Sequence, residues 1–514
     1  MKQRNILEKL YDYQLEAVRA TDNNKKGIVC MPTGTGKTFV EAAIIAKEIL
    51  KNDGKFGIYV INAPRIMLSY QLLKEVYTFL MWAGIDARYM SVHSGGQNDI
   101  EDLEKIRIDA NYNEGTNIQF AEIENGTSPI LISQFVDNAR ETDIPVIFFS
   151  TYNSADRIND AIPTEKINIV MNDESQYLVQ EQFHDIIHIL NSHRCYFFTA
   201  TTIHTPSDKG RGMNNVASYG EIIYLMTPRQ AIDLGKMVRP RMHFVIPPSG
   251  SSYTKEDFQN SLGKIISEAL AQHDYAIGQS SNPKMLVSVK GVGDIEKFFQ
   301  SREYVGLKRT GYKIYAVASD DKIGNDINGE KVNRVEFLKR MKADGKDPQV
   351  KMLILHYDIL AEGIDVPGIT GIMPLRTLGK AKFLQTFGRA ARLDYEDRGR
   401  IETGEIGPND LVEMIKPYAW VIVPTIIHED ADSKEHIGQL ITELRDYGFK
   451  PSQDIVSTDS KNGLPVVEGP DALNEVKKGC PNIGKYIEKV EADYEEERLA
   501  KLSKLDLLKE KLGK

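Results

Sequence analysis

The chain of 514 residues is 41% apolar and 27% charged and carries a formal net charge of −9. That length predicts two to four domains with ample core; the acidity argues against a protein that coats nucleic acid indiscriminately, though not against one that grips a strand in a local groove. No apolar run nears the roughly 20 residues of a membrane helix, the start MKQRNILEKLYDYQ has no apolar signal segment, and the isolated Cys30, Cys195 and Cys480 indicate neither a zinc cluster nor a disulfide framework, so a reducing, cytoplasmic setting is expected.

In chain order, short apolar runs alternate with amphipathic ones. KKGIVCMP is predicted as a strand and TFVEAAIIAKEIL as the helix after it; FGIYVINAP, IPVIFFST, INIVMNDE and RCYFFTAT are further strands. Their hydrophobicity is continuous rather than alternating. This marks strands covered on both faces, hence a parallel sheet in an α/β domain. Residues from Gly95 to about Thr142 are polar and acidic and read partly as an insertion, ending in a helix near ISQFVDNA. RPRMHFVIPPSGSSYTKEDF clusters Pro, Gly and Ser and reads as a connection between domains. The pattern then restarts with PKMLVSVK, YKIYAVAS, VKMLILHYD, TGIMPLR and YAWVIVPT, with helical runs such as DIEKFF and RVEFLKRM between them. Two tandem α/β domains are expected, at 1–240 and 241–426, followed by a mainly helical extension at 427–514. Its charged end carries Leu505, Leu508 and Leu512 at helical spacing. A surface helix docking that narrow stripe is favoured over a dimerising coil.

The stretch CMPTGTGKT, Cys30 to Thr38, lies between the first strand and the first long helix. A phosphate loop places glycine first, then four residues, then Gly-Lys-Ser/Thr; here Met31 holds the first position. Gly34 and Gly36 allow backbone conformations that turn N–H groups inward, so Thr33, Gly34, Thr35 and Gly36 form a candidate cradle for phosphate. The helix N-terminus adds a favourable dipole for anions. Lys37 places a cation on the β- and γ-phosphates, and the Thr38 hydroxyl can bind Mg²⁺. A plain strand-to-helix turn is the alternative, but Gly-x-Gly-Lys-Thr is uncommon in such turns. A second metal ligand is expected after a later strand, where INIVMNDES ends in Asp173-Glu174. Asp173 would hold Mg²⁺ through water, and Glu174 would orient and deprotonate an attacking water. Such an acidic turn is weak alone and strong in this order after the loop.

The ordered set resembles superfamily 2 helicases, the class with DEAD- and DEAH-type boxes, in which the loop often lacks its first glycine. The second motif reads DESQ, with Gln176 in its fourth place among the catalytic set and Asn172 where an apolar residue is more usual. YDYQLEAV resembles the adenine-reading motif, which implies that Gln14 bonds the adenine edge and Tyr13 or Tyr11 packs nearby; the arginine often found there is absent. APRIMLSYQ, VHSGG and FFSTYNS resemble strand-contact motifs, which implies roles for Arg65 and Thr151 at the phosphodiester backbone. FTATT resembles the motif that couples nucleotide to strand, through Thr199 and Thr201. LAEGIDVPG implies that Glu362 and Gly363 lie near the strand and Asp365 near the ribose; QTFGRAARL implies Gln385 at the nucleotide and Arg389 and Arg392 on one face of a helix, reaching the γ-phosphate. The likeness covers roughly residues 7 to 425 and is closest to restriction-enzyme-like and phage-encoded DNA helicases.

The resemblance implies two tandem RecA-like parallel-sheet domains with ATP and Mg²⁺ bound in the cleft between them. It further implies a nucleic-acid-stimulated ATPase that moves along a strand, with DNA favoured over RNA, working as a monomer or as a subunit of a larger complex, without a membrane. Two rivals stay open. One is a translocase that moves on duplex DNA without unwinding it, or an RNA helicase. The other is a P-loop kinase or ATPase indifferent to nucleic acid, which would leave Gln385 to Arg392 without a role.

Overall fold

The computed structural model describes residues 6–94, 123–206, 210–246, 255–277, 282–318, 323–357, 366–425, 431–459, 467–479, 483–485, 487–493 and 495–496. Gly95 and Gly96, most of the polar insertion, Glu362, Gly363, Asp365, Cys480 and the Leu505, Leu508 and Leu512 stripe lie outside the described residues. The chain divides into two units, Met1–Thr227 and Pro228–Lys514.

The first unit is built on strands β1 (Lys26–Cys30), β2 (Ile58–Ala63), β3 (Arg88–Val92), β4 (Glu124–Asn125), β5 (Val146–Thr151), β6 (Ile167–Asn172), β7 (Ser192–Thr199) and β8 (Glu221–Leu225). They form an eight-stranded sheet in the order β4-β3-β5-β2-β6-β7-β1-β8. Every pairing in it is parallel. The five apolar runs of the sequence are all strands here, and β2 and β5 are buried at every residue, as continuous hydrophobicity requires of strands with both faces covered. Helices α1 (Asp12–Ala20), α2 (Lys37–Lys51) and α3 (Ile66–Ala83) precede or follow these strands. The helix Pro129–Glu141, which overlaps ISQFVDNA, packs Ile132, Phe135, Val136 and Ala139 into the core. Their i, i+3, i+4, i+7 spacing makes one apolar stripe, and each large side chain so buried contributes about 1.5–3 kcal/mol.

The register sets Cys30 opposite Thr199, Phe197 opposite Asn172, and Asn172 opposite Asn62. The carboxyl ends of β1, β7, β6 and β2 therefore share one edge of the sheet. In open α/β sheets that edge is where ligands bind.

The second unit contains β9 (Arg239–Ile246), β10 (Lys284–Ser288), β11 (Tyr312–Val317), β12 (Asn325–Ile327), β13 (Glu330–Lys331), β14 (Lys351–His356), β15 (Gly371–Pro374), β16 (Tyr418–Pro424), β17 (Ile455–Asp459) and β18 (Val467–Glu468). Their order is β13-β12-β11-β14-β10-β15-β16-β9-β17-β18. The centre is parallel, and an antiparallel pairing flanks it on each side. The sheet is thus mixed, with the expected parallel sheet at its centre and antiparallel strands added at its edges. Two further differences concern the chain path. Arg239–Ile246, read as the start of a connection, is strand β9, paired on both sides with β16 and β17. Its apolar run MHFVI outweighs Pro240, which sits near the strand start where a missing N–H is tolerated. Beyond residue 427 the chain is not only helical, since β17 pairs in parallel with β9.

Candidate nucleotide site

Between β1 and α2 the chain turns through Met31–Gly36. Gly34 and Gly36 adopt φ of 86° and 81°, a left-handed backbone that costs an L-residue roughly 1–2 kcal/mol. A Cβ on Gly36 would also lie 2.4 Å from Gln14 Nε2. Met31 has no positive φ and is wholly buried, so this position needs no glycine; its carbonyl accepts from Lys37 Nζ at 3.3 Å. Helix α1 braces the turn. Tyr13 Oη and Gln14 Nε2 each donate to the Thr35 carbonyl at 3.0 Å, and Tyr11 N donates to Gln14 Oε1 at 3.0 Å. The Thr35 hydroxyl turns inward to the Pro32 carbonyl at 2.7 Å, so Thr35 shapes the loop. Gly34 is exposed, and Thr33, Gly36, Lys37 and Thr38 are partly exposed. The Tyr11 ring stacks on Tyr13 at 5.6 Å and is 42% exposed, offering a flat apolar face beside the loop.

Asp173 and Glu174 follow β6 directly. Asp173 N donates to the Asn62 carbonyl at 2.9 Å, and Tyr152 Oη donates to the Asp173 carbonyl at 2.6 Å, which fixes the backbone from two sides. Glu174 has φ of 49°, a strained left-handed turn of the kind that collects at functional sites. Burial, then the Glu174 charge, push the Asp173 carboxyl up to about 7, while the Lys37 ammonium pulls it down. Asp173 Oδ1 is buried without a protein hydrogen-bond partner. An orphaned carboxylate oxygen, a lysine acting on it and the Thr38 hydroxyl at the start of α2 suit a Mg²⁺ held by few protein oxygens and by substrate phosphates. ATP with Mg²⁺ thus fits the residues present.

A line of hydrogen bonds runs from this acidic turn to the end of β7. Gln176 Nε2 donates to Glu174 Oε2 at 2.6 Å. The Thr199 hydroxyl lies 2.7 Å from Gln176 Oε1 and 2.8 Å from the Thr201 carbonyl, its one proton serving either, and it accepts from Thr201 N at 3.0 Å. Asn62 Nδ2 donates to Asn172 Oδ1 at 3.0 Å, and Asn172 Nδ2 lies 3.5 Å from Cys195 Sγ. The unusual Asn172 is therefore paired within the sheet. Of the strand-contact candidates, Arg65 is exposed at the start of α3, whereas Thr151 is buried and its hydroxyl is 3.1 Å from Ser154 Oγ.

In the second unit the helix Lys380–Ala390 carries Gln385, partly exposed, and Arg389, buried. The sequence predicts a helix through Arg392, but the helix stops before it. Arg392 forms an antiparallel bridge with Met237, and Val238 N takes the Ala391 carbonyl at 2.9 Å. The Arg392 amide still lies 3.5 Å from the Arg389 carbonyl, so a last loose turn reaches it although the α-helix ends at Ala390.

Three features here have no counterpart in the sequence reading. Glu41, one turn after Lys37 in α2, is wholly buried, and neither carboxylate oxygen has a hydrogen-bond partner. Burial, then Asp173's charge, hold its carboxyl well above the usual range. A lone charge inside FVEAAII was the available signal. Tyr152 and the Lys416–Asp397 pair described below gave none, because their contacts span long stretches of chain.

Residues 7–204 match the family described as Type III restriction enzyme, res subunit. Among solved structures, the ATP-dependent Type ISP restriction-modification enzyme LlaBIII bound to DNA is similar at 16% identity and a TM-score of 0.63, covering 94% of this chain and 33% of that one. A nuclease-deletion mutant of the Type ISP enzyme LlaGI in complex with a DNA substrate mimic is similar at 16% identity and a TM-score of 0.57, covering 94% and 31%. The chain thus spans about a third of the length of these enzymes. No curated protein matches it. The family match is confined to residues 7–204, and the likeness to the solved structures extends the shared α/β fold over most of the chain.

Proposed function

We propose that the chain is an ATP-dependent nucleic-acid motor, a translocase or helicase that works on DNA. The observation that carries this reading is the hydrogen-bonded line Glu174–Gln176–Thr199–Thr201 beside the phosphate loop. It ties the residue suited to activate water to the end of a neighbouring strand, which is what a motor needs and a simple kinase does not.

In this reading the loop from Thr33 to Lys37 holds the phosphates with backbone N–H groups and one ammonium. Thr38 and Asp173 would hold Mg²⁺, which would supply positive charge to offset that of the phosphates. Glu174 takes the proton of the attacking water, and Gln176 holds that carboxylate in place. Tyr11 or Tyr13 packs on the base, with Gln14 between base and loop. From the second unit, Gln385 and Asp365 serve the nucleotide, and Arg389 and Arg392 stabilise charge on the γ-phosphate; such arginines are worth about 10³–10⁵ in rate in other phosphoryl transfers. Arg65, Thr151 and Gly363 are assigned to the strand, which phosphate contacts would grip with little regard to sequence and with sensitivity to salt.

DNA is preferred over RNA because the similar Type ISP enzymes are bound to DNA or to a DNA mimic. One variant of the reading has this motor move on duplex DNA as part of a larger machine. The test is ATP turnover, measured in parallel without nucleic acid and with single-stranded, duplex and branched DNA and with RNA. Stimulation by DNA is expected; turnover indifferent to every nucleic acid refutes the motor. Strand displacement against triplex displacement then separates unwinding from movement on duplex.

A further inference from the structure

Arg392 is held in an unusual way. It follows the C-terminal end of the helix Lys380–Ala390, where helix carbonyls lack intrahelical partners. Its carbonyl accepts from Lys416 Nζ at 2.6 Å. Lys416 is 5% exposed, just ahead of β16, and burial pushes its ammonium down to about 7. Keeping a lysine there costs solvation of a strongly hydrated cation. The turn that delivers it is itself fixed. Asp397, wholly buried, accepts from the backbone N–H groups of Ile415 and Lys416, each at 2.8 Å.

A bare helix end could be capped by water or by a neutral donor. Here a buried ammonium, carried by a carboxylate-clamped turn, reaches the carbonyl of one particular residue. That residue is one of the two arginines assigned to the γ-phosphate in the proposed hydrolysis. Fixing the Arg392 carbonyl orients its peptide plane and so the direction in which the side chain leaves the backbone. With Met237 bridged on the same segment, the arginine is set before any ligand arrives.

We propose that Lys416 is a positioning residue for Arg392, holding its backbone so that the guanidinium meets the γ-phosphate in the productive direction. The inference rests on the assignment of Arg392 under the proposed function. Misplacing a reacting or stabilising group by about 1 Å can cost on the order of 100-fold in rate, less than full loss of the arginine.

The test is a double-mutant cycle of Lys416→Met and Arg392→Ala on the full chain. It reads DNA-stimulated kcat and KM for ATP, binding of a fluorescent ATP analogue and thermal unfolding. Lys416→Met is expected to lower kcat roughly 10- to 100-fold with KM and analogue binding unchanged, and Lys416→Arg, which restores a donor, to recover part of the rate. In the Arg392→Ala background Lys416→Met should add no further loss, because it acts through that arginine. Additive losses overturn the proposal, as does wild-type kcat in Lys416→Met when Arg392→Ala is impaired. Wild-type kcat in Arg392→Ala overturns the assignment of Arg392 and the proposal with it. Should Lys416→Met yield no folded protein, Lys416→Gln enters the same cycle with the same two readings.

Discussion

Replacing Gln176 with alanine breaks the line between the acidic turn and the end of β7 at its middle. Two contacts go: the donation to Glu174 Oε2 at 2.6 Å and the acceptance from the Thr199 hydroxyl at 2.7 Å. The second loss is mild, since the Thr199 hydroxyl still has the Thr201 carbonyl at 2.8 Å. The first is a hydrogen bond to a charged group, worth about 1.5–3 kcal/mol. Expressed wholly in the transition state, at about 1.4 kcal/mol per factor of ten, it lowers kcat roughly 10- to 100-fold. The ratio of DNA-stimulated to unstimulated turnover should also fall toward one, because the link to Thr201 is cut. Steady-state ATP hydrolysis with and without DNA reads both effects, and thermal unfolding checks that the fold survives. Undiminished kcat together with undiminished stimulation in Gln176→Ala would refute the coupling role.

Three further outcomes are expected. Lys37→Ala should abolish turnover with little change in thermal midpoint, since Lys37 is partly exposed and its ammonium contacts only the Met31 carbonyl among the hydrogen bonds described; normal hydrolysis would show the site to be misassigned. Glu41→Met should raise stability by about 1–3 kcal/mol, because it removes a buried carboxyl with no hydrogen-bond partner at similar volume; urea unfolding showing no gain would mean that the carboxyl is satisfied in solution. Burial pushes His243 down to about 3 from its ordinary 6.5, so between these values the unfolded chain binds the extra proton and the folded chain does not. Its contribution is therefore fully present above pH 6.5 and is lost as pH falls toward 3, with a slope of about 1.4 kcal/mol per pH unit. His243→Phe should flatten the fall in urea midpoint across that range, and an unaltered slope would count against a buried neutral imidazole.

What could be read in the sequence was local. The strands of the first sheet announce themselves by unbroken apolar runs, and the candidate phosphate loop by glycines that a left-handed turn demands at Gly34 and Gly36. Asp173 and Glu174 were legible because they follow such a run immediately. What was not legible depends on residues far apart. Arg392 lies past the end of its helix on a segment bridged to Met237, and Lys416 donates to a carbonyl 24 positions away. β9 was obscured by Pro240 and the Pro-Gly-Ser cluster after it, although seven of its residues pair with β16. Strand β17 is short, and its partner β9 lies some two hundred residues earlier in the chain. Glu41 showed only as one acid in an apolar helix, and burial on every side is a property of packing rather than of spacing.

The paired amides of Asn62 and Asn172 act as a keyway at the carboxyl ends of two largely apolar strands, while Asn168 Oδ1 accepts from Ile58 N at 2.9 Å at their other end. Alternate residues of a strand face opposite sides of the sheet, so a slip of one position would turn Asn172 away and strand both amides in hydrocarbon. The same slip would carry Asp173 roughly 3.3 Å along the sheet, away from the lysine that tunes it. Correct alignment of β6 during folding and correct delivery of the acidic turn are thus one requirement, served by asparagine side chains at both ends of the strand pair.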